Sequence, residues 1–346
     1  MADDHRSAGW FDTDDAPPVG PIAGDTTYLE AIRAALEDEL AEDDRVVLIG
    51  EDIGVMGGAF RVTEGLWQRF GDDRVIDTPI SEIAITGSCI GMAISGMRPI
   101  AEFQFADFIS CAYDQLVNEA AKLYFRFGCP VPIVMRAPAG GGVGAGPFHS
   151  QSPEAVFAHC PGLKVVCPGS VQDAYDLLRL AVADPNPVLY FEHKALYRAL
   201  RGPLRRGRPD GALETARIVR PGTDLTLVSY SATLSKALEA AQRLEAEDVS
   251  VEVVDLRCVS PIDFPTIAES VRRTTRCIVA HEDTRTLGIG AEIASWLAEH
   301  CFYDLDAPVM RVTSPDTPIP AAKSLEQAFL PSAEKIAAAV RECIVQ

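Results

Sequence analysis

The segment LKVVCPGSVQDAYDLLRLAVADPNPVLYFEH, residues 163–193, contains the pattern from which the fold is predicted. It starts with a short apolar run, continues with apolar residues at helical spacing after Ser170, and ends in the apolar run PVLYFEH. Serine is a favoured N-cap residue, so a helix is predicted to begin beside it. Strands this apolar are typical of a parallel sheet covered on both faces. The segment therefore predicts a strand–helix–strand unit of an α/β protein.

The same alternation of helix and strand continues on both sides of this unit. It fills residues 26–200, stops in a stretch rich in Arg, Gly and Pro, and resumes from residue 221. A chain of 346 residues suits two domains of ordinary size. We therefore predict two α/β domains, 26–200 and 221–346, joined by a linker at 201–220. Residues 1–25 are predicted to be a disordered acidic tail.

Composition excludes several classes of protein. The formal charge is −19, and this charge would repel phosphate backbones and anionic lipid, so neither nucleic acid nor a membrane is expected as a partner. No uncharged apolar run approaches the roughly 18–20 residues that span a bilayer. The nine cysteines are scattered and form no CxxC pair, which indicates reduced thiols rather than a zinc site or a disulfide framework. A cytoplasmic location is expected.

Glu82 is the first candidate site residue. It lies in TPISE, where Thr78 can cap a helix and Pro79 suits the first helical position. The fifteen residues that follow Glu82 carry no charge, so we predict a helix over 82–96 that is buried nearly all round. Its N-terminus would then open on a cleft or an interface. The alternative is a surface glutamate that matches the helix dipole.

Two further segments carry candidate residues. The glycine-rich stretch APAGGGVGAGP, residues 137–147, is predicted to be a loop that approaches a ligand closely or moves as a lid, and it leads to His149. A flexible surface loop with a solvated histidine is the alternative. In AEFQFADF, Phe105 and Phe108 lie close to Gln104 after a predicted strand, where a ring could stack on a heteroaromatic ligand. An aromatic cluster of this kind can equally be core.

Several well-known motifs are absent from the sequence. It contains no GxSxG and no HExxH, so the hydrolase and zinc-peptidase classes have no support. It also lacks the GDG with a downstream Asn that holds a metal–diphosphate group in many enzymes. A complete diphosphate-binding site is therefore not expected within this chain.

A family resemblance rests on several long motifs. LIGEDIG, RVIDTPISE, AEFQFADF, DQLVNEAAK, HSQSPEAVFAHCPGLKVV, PVLYFEHKALYR and SPDTPIP occur in order along the chain. Together they resemble the β subunit of the thiamine-diphosphate-dependent E1 component of 2-oxoacid dehydrogenase complexes, from about residue 26 to the end. The resemblance implies a transketolase-like pyrimidine-binding domain followed by a transketolase C-terminal-like domain.

The resemblance also implies roles for individual residues. Glu82 would hydrogen-bond N1′ of the aminopyrimidine ring of thiamine diphosphate and share a proton with it, so that the 4′-nitrogen can remove the thiazolium C2 proton. Phe108 would stack on the pyrimidine, and Ile80 and Gln104 would contact the cofactor. His149 would help the acyl group pass to the lipoyl group of the E2 acyltransferase.

Metals and partners follow from the same resemblance. In this family the α subunit carries the metal–diphosphate motif, so Mg²⁺ would be held mainly by an α subunit and this chain would supply half of each active site. An α₂β₂ heterotetramer and a lipoylated E2 are the expected partners. Asp184 and Asn186, in ADPNPV, resemble a loop near a structural K⁺ site; a plain turn is the alternative.

The predicted function is oxidative decarboxylation of pyruvate or branched-chain 2-oxoacids. An acetoin dehydrogenase β subunit remains the alternative within the family, because FEHKALY and LPSAEKIAAAVR resemble that branch, whereas HSQSPEAVFAHCPG resembles the branched-chain one. A non-catalytic assembly or regulatory subunit is the alternative of another class. A self-contained thiamine enzyme is disfavoured by the absent diphosphate motif.

Overall fold

A computed structural model describes residues 25–345; the predicted tail lies outside this range except for Asp25. The described chain forms two sheets of several strands and one short two-stranded ribbon. The strands are β1 (Thr26–Thr27), β2 (Val46–Gly50), β3 (Val75–Asp77), β4 (Arg98–Glu102), β5 (Val134–Ala139), β6 (Lys164–Val166), β7 (Val188–His193), β8 (Arg201–Gly202), β9 (Arg217–Arg220), β10 (Leu225–Ser229), β11 (Val251–Asp255), β12 (Cys258–Ser260), β13 (Cys277–Thr284) and β14 (Met310–Ser314).

The first sheet has seven strands in the order β12-β6-β7-β5-β4-β2-β3. All of its pairings are parallel except that of β12 with β6. The second sheet has five strands in the order β14-β13-β10-β11-β9, and only β9 is antiparallel to its neighbour. Two parallel-rich α/β halves are what the sequence predicts, so the fold class is confirmed.

Helices cover both sheets. The α-helices are α1 (Tyr28–Glu42), α2 (Leu66–Phe70), α3 (Glu82–Ile94), α4 (Ala121–Phe127), α5 (Glu154–Ala158), α6 (Val171–Ala183), α7 (Leu196–Ala199), α8 (Ser231–Glu245), α9 (Phe264–Thr274), α10 (Ile289–His300), α11 (Lys323–Phe329) and α12 (Ala333–Ile344). Two 3₁₀ helices, Ala106–Ala112 and Phe302–Asp304, and a π-helix, Gln115–Ala120, complete the set.

The strand–helix–strand unit of residues 163–193 forms as predicted. Ser170 Oγ accepts a hydrogen bond from the backbone N–H of Asp173 and so caps α6. Strands β6 and β7 are parallel neighbours, and all six residues of β7 are buried. An analogous cap begins α1, where Thr27 and Glu30 form a capping box.

The predicted start of α3 is wrong in detail. The helix begins at Glu82, with Ser81 in the N-cap position, and Thr78 does not cap it. Instead the backbone N–H of Thr78 donates to the carbonyl of Gly50, which prolongs the pairing of β3 with β2 by one residue. Thr78 therefore stays extended, and Pro79 lies before the helix instead of in its first turn. Within residues 25–345 the buried Thr78 Oγ1 has no hydrogen-bond partner.

The predicted linker, 201–220, contains strands at both of its ends. β8 pairs with β1 at the start of the first half, and β9 forms the edge of the second sheet. In addition, β12 from the second half of the chain adds a strand to the first sheet. The two halves are therefore joined by strand pairing as well as by the chain, and the domain limits at 200 and 221 stay predictions.

Seven of the nine cysteines are buried, and all nine are free thiols. No helix in residues 25–345 is both long and apolar enough to span a bilayer.

Candidate functional site

One edge of the first sheet brings together the residues predicted to bind the cofactor or to act in catalysis. Ile80 and Glu82 follow β3, Gln104 and Phe108 follow β4, and His149 follows β5. The order β5-β4-β2-β3 is parallel throughout, so these strands end at the same edge. The carboxyl edge of an open parallel sheet is the usual place for a ligand.

Glu82 lies half-buried at the first residue of α3, where free backbone N–H groups favour a carboxylate. Ile80, just before it, is an exposed apolar side chain, with 76% of its surface accessible. Glu51 follows β2 and lies close enough to interact with Glu82: burial, then the charges of Asp52 and Glu82, raise the pKa of Glu51. Two carboxylates therefore stand near one another beside an apolar side chain at this edge.

His149 packs against two phenylalanine rings. Its ring centroid lies 4.5 Å from that of Phe105 and 5.5 Å from that of Phe108, both in edge-on geometry. The two phenylalanine rings are themselves 5.7 Å apart, also edge-on. The histidine predicted on the loop and the aromatic residues predicted after β4 thus form one cluster.

The three residues that follow β4 differ in their surroundings. Phe103 is fully buried and belongs to the core, whereas Phe105 is half-buried against His149. Gln104 donates from Nε2 to Asp52 Oδ2 at 3.2 Å, across to the loop that follows β2. An amide, a carboxylate and aromatic rings at one sheet edge can hold a flat heteroaromatic ligand by hydrogen bonding and stacking.

The outer face of α3 is exposed, contrary to the predicted burial on all sides. The inner residues of the helix, such as Ile85 and Cys89, pack in the core, but Ile83 and Ile94 are about half exposed. The outer face also carries Gly87 and Gly91, where an added Cβ would meet no atom within 4 Å. Strand β4, the 3₁₀ helix at 106–112 and the π-helix pack against one side of α3, and nothing in the described chain covers the other side.

Beneath the edge lies a buried ionic network that sequence reasoning missed. Arg136 on β5 donates to Glu102 on β4 at 2.5 Å and to Glu192 on β7 at 2.5 and 2.9 Å. Tyr197 OH donates to Glu192 at 2.7 Å. Burial raises the pKa of Glu102, and the Arg136 charge opposes this shift. The sequence did contain a signal for this network, because each of the three apolar strands carries a charged residue. A buried charge needs a partner, so charged residues in neighbouring buried strands are expected to pair.

Replacing Arg136 with methionine is expected to lower the free energy of unfolding by about 3–5 kcal/mol, since it leaves two buried carboxylates without their cation. Urea unfolding followed by circular dichroism would measure the change. Arg272→Met is the matched control, because Arg272 pairs with Asp304 at the surface, where such a pair contributes about 0–1 kcal/mol. Equal midpoints for the two variants would contradict this account.

The glycine-rich loop is tied to the second half of the chain. The backbone N–H of Gly140 donates to the carbonyl of Gln151 and closes the neck of the loop. The N–H groups of residues 141, 142 and 144 donate to two carboxylates, Glu282 and Glu326. A cleft of about 780 Å³ lies next to the segment that follows the loop, and Phe148 and Ser150, the neighbours of His149, line part of it.

Asp184 and Asn186 form a turn with an ion pair. Asp184 Oδ1 accepts from the backbone N–H and the side chain of Asn186, at 2.8 and 3.0 Å. Lys164 Nζ donates to Asp184 Oδ2 at 2.5 Å. A K⁺ site here stays a prediction, and this geometry supports the alternative, a plain turn. Within the described range no three His, Cys, Asp or Glu side chains form a group that could hold a metal ion.

Both halves of the chain match known domain families. Residues 25–199 match the family described as "Transketolase, pyrimidine binding domain", and residues 214–336 match "Transketolase, C-terminal domain". Among solved structures, one similar chain is described as "Split gene transketolase, inactive beta4 tetramer". It is 23% identical, has a TM-score of 0.74, and the match covers 93% of this chain and 99% of that one, so it supports the fold.

Curated relatives match the chain over nearly its whole length. The 2-oxoisovalerate dehydrogenase subunit beta of Bacillus subtilis is 46% identical over 91% of this chain and 98% of its own. The 3-methyl-2-oxobutanoate dehydrogenase subunit beta of Mycobacterium tuberculosis is 45% identical over 96% of this chain and 95% of its own. The mitochondrial pyruvate dehydrogenase E1 component subunit beta of Caenorhabditis elegans is 42% identical, and the match covers 93% of each chain.

Proposed function

Since the chain belongs to the family of β subunits of the E1 components of 2-oxoacid dehydrogenase complexes, we propose that it supplies one half of a thiamine-diphosphate-dependent decarboxylation site. The observation that carries the proposal is the single sheet edge at which Glu82, Phe108 and His149 follow neighbouring parallel strands. The substrate would be a branched-chain 2-oxoacid or pyruvate, the two classes that the names of these relatives contain.

The side chains at this edge fit the pyrimidine half of the cofactor. Glu82 offers a half-buried carboxylate to a ring nitrogen, and Phe108 offers a ring for stacking. Ile80 offers an exposed apolar surface, and Gln104 offers an amide that can donate or accept. A hydrogen-bonding group beside apolar and aromatic surface is what an aminopyrimidine ring requires.

The chain's own part in the chemistry centres on Glu82. Thiamine diphosphate, when bound, supplies the electron sink for loss of CO₂ from a 2-oxoacid. Glu82 would hold a proton at its carboxylate against a nitrogen of the pyrimidine. Exclusion of water by a partner would favour the protonated carboxyl, because desolvation disfavours the charged form.

His149 would act in the acyl transfer that follows. Its ring is held edge-on by Phe105 and Phe108, so its imidazole has a defined orientation at the sheet edge. An imidazole can both donate and accept a proton. We propose that it orients or protonates the dithiolane of the lipoyl group on E2.

The exposed outer face of α3 is where we propose that the E1 α subunit binds. Glycine in mid-helix costs about 1 kcal/mol relative to alanine, and nothing within 4 Å of Gly87 or Gly91 in this chain requires their small size. A partner packed closely on this face would require it. Such a partner would also cover Glu82, at the N-terminus of the same helix, and would supply the diphosphate and Mg²⁺ ligands of an α₂β₂ heterotetramer.

Gly91→Leu is expected to leave the chain folded and to abolish stable assembly with the α subunit. The chain has open space for the new side chain, whereas a close helix–helix contact does not. Co-expression and size-exclusion chromatography with light scattering would measure the assembly. Ala338→Leu is the matched control, because Ala338 is exposed on α12, a helix of the second half with charged residues around it. Assembly of the Gly91→Leu variant at wild-type affinity would place the α subunit elsewhere.

The substrate is tested with the assembled enzyme. Reduction of an artificial electron acceptor is measured with a panel of 2-oxoacids, including pyruvate and the three branched-chain members, and with acetoin. The similar proteins named above do not favour acetoin as the substrate. Activity with no 2-oxoacid, in an assembled complex that binds the cofactor, would refute the proposed reaction and favour the assembly or regulatory role.

We also propose a cytoplasm-like reducing compartment. Its support is the set of nine free cysteines, seven of them buried.

A further inference from the structure

Strand β5 extends to Ala139, so the glycine-rich loop begins at residue 140 and not at residue 137 as predicted. The backbone of residues 140–146 is bound by two carboxylates of the second half of the chain. Glu282 Oε1 accepts from the N–H of Gly141 at 2.5 Å. Glu326 Oε1 accepts from the N–H of Gly142 at 2.9 Å, and both Oε1 and Oε2 accept from the N–H of Gly144 at 3.1 Å. We call Glu282 and Glu326 the loop-binding carboxylates. They lie 141 and 182–184 residues away from these amides in the sequence, so the two halves of the chain meet at this loop.

The loop has the conformation of an anion-binding site. Gly142 and Gly144 have φ of +83° and +72°, which lets both N–H groups point to one side. Successive N–H groups arranged in this way form a concavity that favours a negative charge. Glu326 fills it with a side chain that is only 3% exposed. The sequence predicts that this loop approaches a ligand closely; in the structure the group that its N–H groups bind is the Glu326 carboxylate of the same chain.

Glu282 connects the two ends of the loop. Its Oε1 also accepts from Ser152 Oγ at 3.1 Å, and His193 Nε2 contacts its Oε2 at 2.8 Å. Burial acts to raise the pKa of Glu282, but His193 and the hydrogen bonds from Gly141 and Ser152 together hold that pKa below its usual value. Glu282 thus stays ionised near neutral pH and accepts from both sides of the loop.

The loop in turn holds His149. The N–H of His149 donates to the carbonyl of Gly146 at 3.2 Å, and the N–H of Gly140 donates to the carbonyl of Gln151 at 2.9 Å. His149 therefore lies between the segment bound by Glu326 and the point where the loop closes. A shift of the loop backbone would move the imidazole against Phe105 and Phe108.

We propose that Glu326 and Glu282 are positioning residues, which fix the glycine-rich loop from the second half of the chain and thereby set the place of His149 for acyl transfer. The inference rests on the proposed function for its kinetic consequence only. The structural claim, that the loop-binding carboxylates hold the loop in place, can be tested without an activity assay.

The test uses Glu326→Ala in the assembled enzyme. Removing the acceptor of two loop amides is expected to speed hydrogen exchange at Gly142 and Gly144 by about tenfold or more, measured by mass spectrometry. Acyl transfer to a lipoyl domain is expected to fall about 10–100-fold, the size of effect that a 1 Å misplacement can have. Decarboxylation measured with an artificial acceptor is expected to change less than threefold.

Two further variants separate positioning from general stability. Glu326→Gln keeps one oxygen acceptor but places an NH2 group where Oε2 now accepts from the N–H of Gly144. It is therefore expected to restore slow exchange at Gly142 only, with a transfer rate between those of the wild type and Glu326→Ala. Gln327→Ala changes an exposed neighbour on the same helix and should leave both unchanged. Wild-type exchange in Glu326→Ala would overturn the proposal, and so would fast exchange with an unchanged transfer rate. If the wild-type enzyme has no activity with any 2-oxoacid, the proposed function fails. The inference is then tested by hydrogen exchange of the loop and by the rate of carbethoxylation of His149. If Glu326→Ala changes neither rate, the inference is overturned.

Discussion

Glu82→Gln is expected to lower 2-oxoacid decarboxylation by the assembled enzyme by about 10²–10⁴-fold, the range that a positioned proton-transfer group contributes. Glutamine has nearly the shape of glutamate and keeps a hydrogen-bonding group at the start of α3, but it cannot hand a proton to a ring nitrogen. The decrease in decarboxylation rate is expected to appear in kcat, because the pyrimidine ring can still bind to the variant. Steady-state reduction of an artificial acceptor would measure it.

The control for Glu82→Gln is the same substitution at another helix start. Glu334 lies in the first turn of α12 and is exposed, so Glu334→Gln should leave activity unchanged. Light scattering should show that the Glu82→Gln variant still assembles with its α subunit. An assembled variant with more than a tenth of wild-type decarboxylation would show that Glu82 has no essential proton.

His149→Ala is expected to have the second large effect, on a different step. Removing the imidazole should slow acyl transfer to the lipoyl domain by about 10²-fold or more. Decarboxylation with an artificial acceptor should be much less affected, because that assay needs no lipoyl group. Rapid-quench measurement of acyl-lipoyl formation would separate the two steps.

His159→Ala is the matched control for this prediction. His159 lies ten residues further on, is exposed, and occupies the C-cap position of α5. Transfer and decarboxylation should both stay at the wild-type rate. Equal losses in the two assays for His149→Ala would mean that the histidine serves the earlier chemistry or cofactor binding.

Local patterns in the sequence predicted the fold and the candidate site because their causes are local. Ser170 caps α6, and the apolar runs of β6 and β7 are buried, as their composition indicates. Candidate residues after β3, β4 and β5 meet because parallel neighbours end at one edge. The cap assigned to Thr78 failed because strand pairing with Gly50, a contact from a distant part of the chain, held the residue extended.

Long-range contacts account for what the sequence did not predict. The partners of the glycine-rich loop are carboxylates more than 140 residues away, and no spacing rule identifies them. Glu102, Arg136 and Glu192 could have been suspected as a set, but their pairing depends on strand order. The apolar sequence of α3 predicted burial, and its outer face is exposed, which agrees with the α-subunit contact that we propose for this face.

The central claim is that this chain holds half of a shared site. Calorimetric titration of thiamine diphosphate with Mg²⁺ into the chain alone, and then into the chain mixed with a candidate α subunit, tests it most directly. Binding is expected only in the mixture. Tight binding to the chain alone would contradict it, because the diphosphate would then be held by residues of this chain.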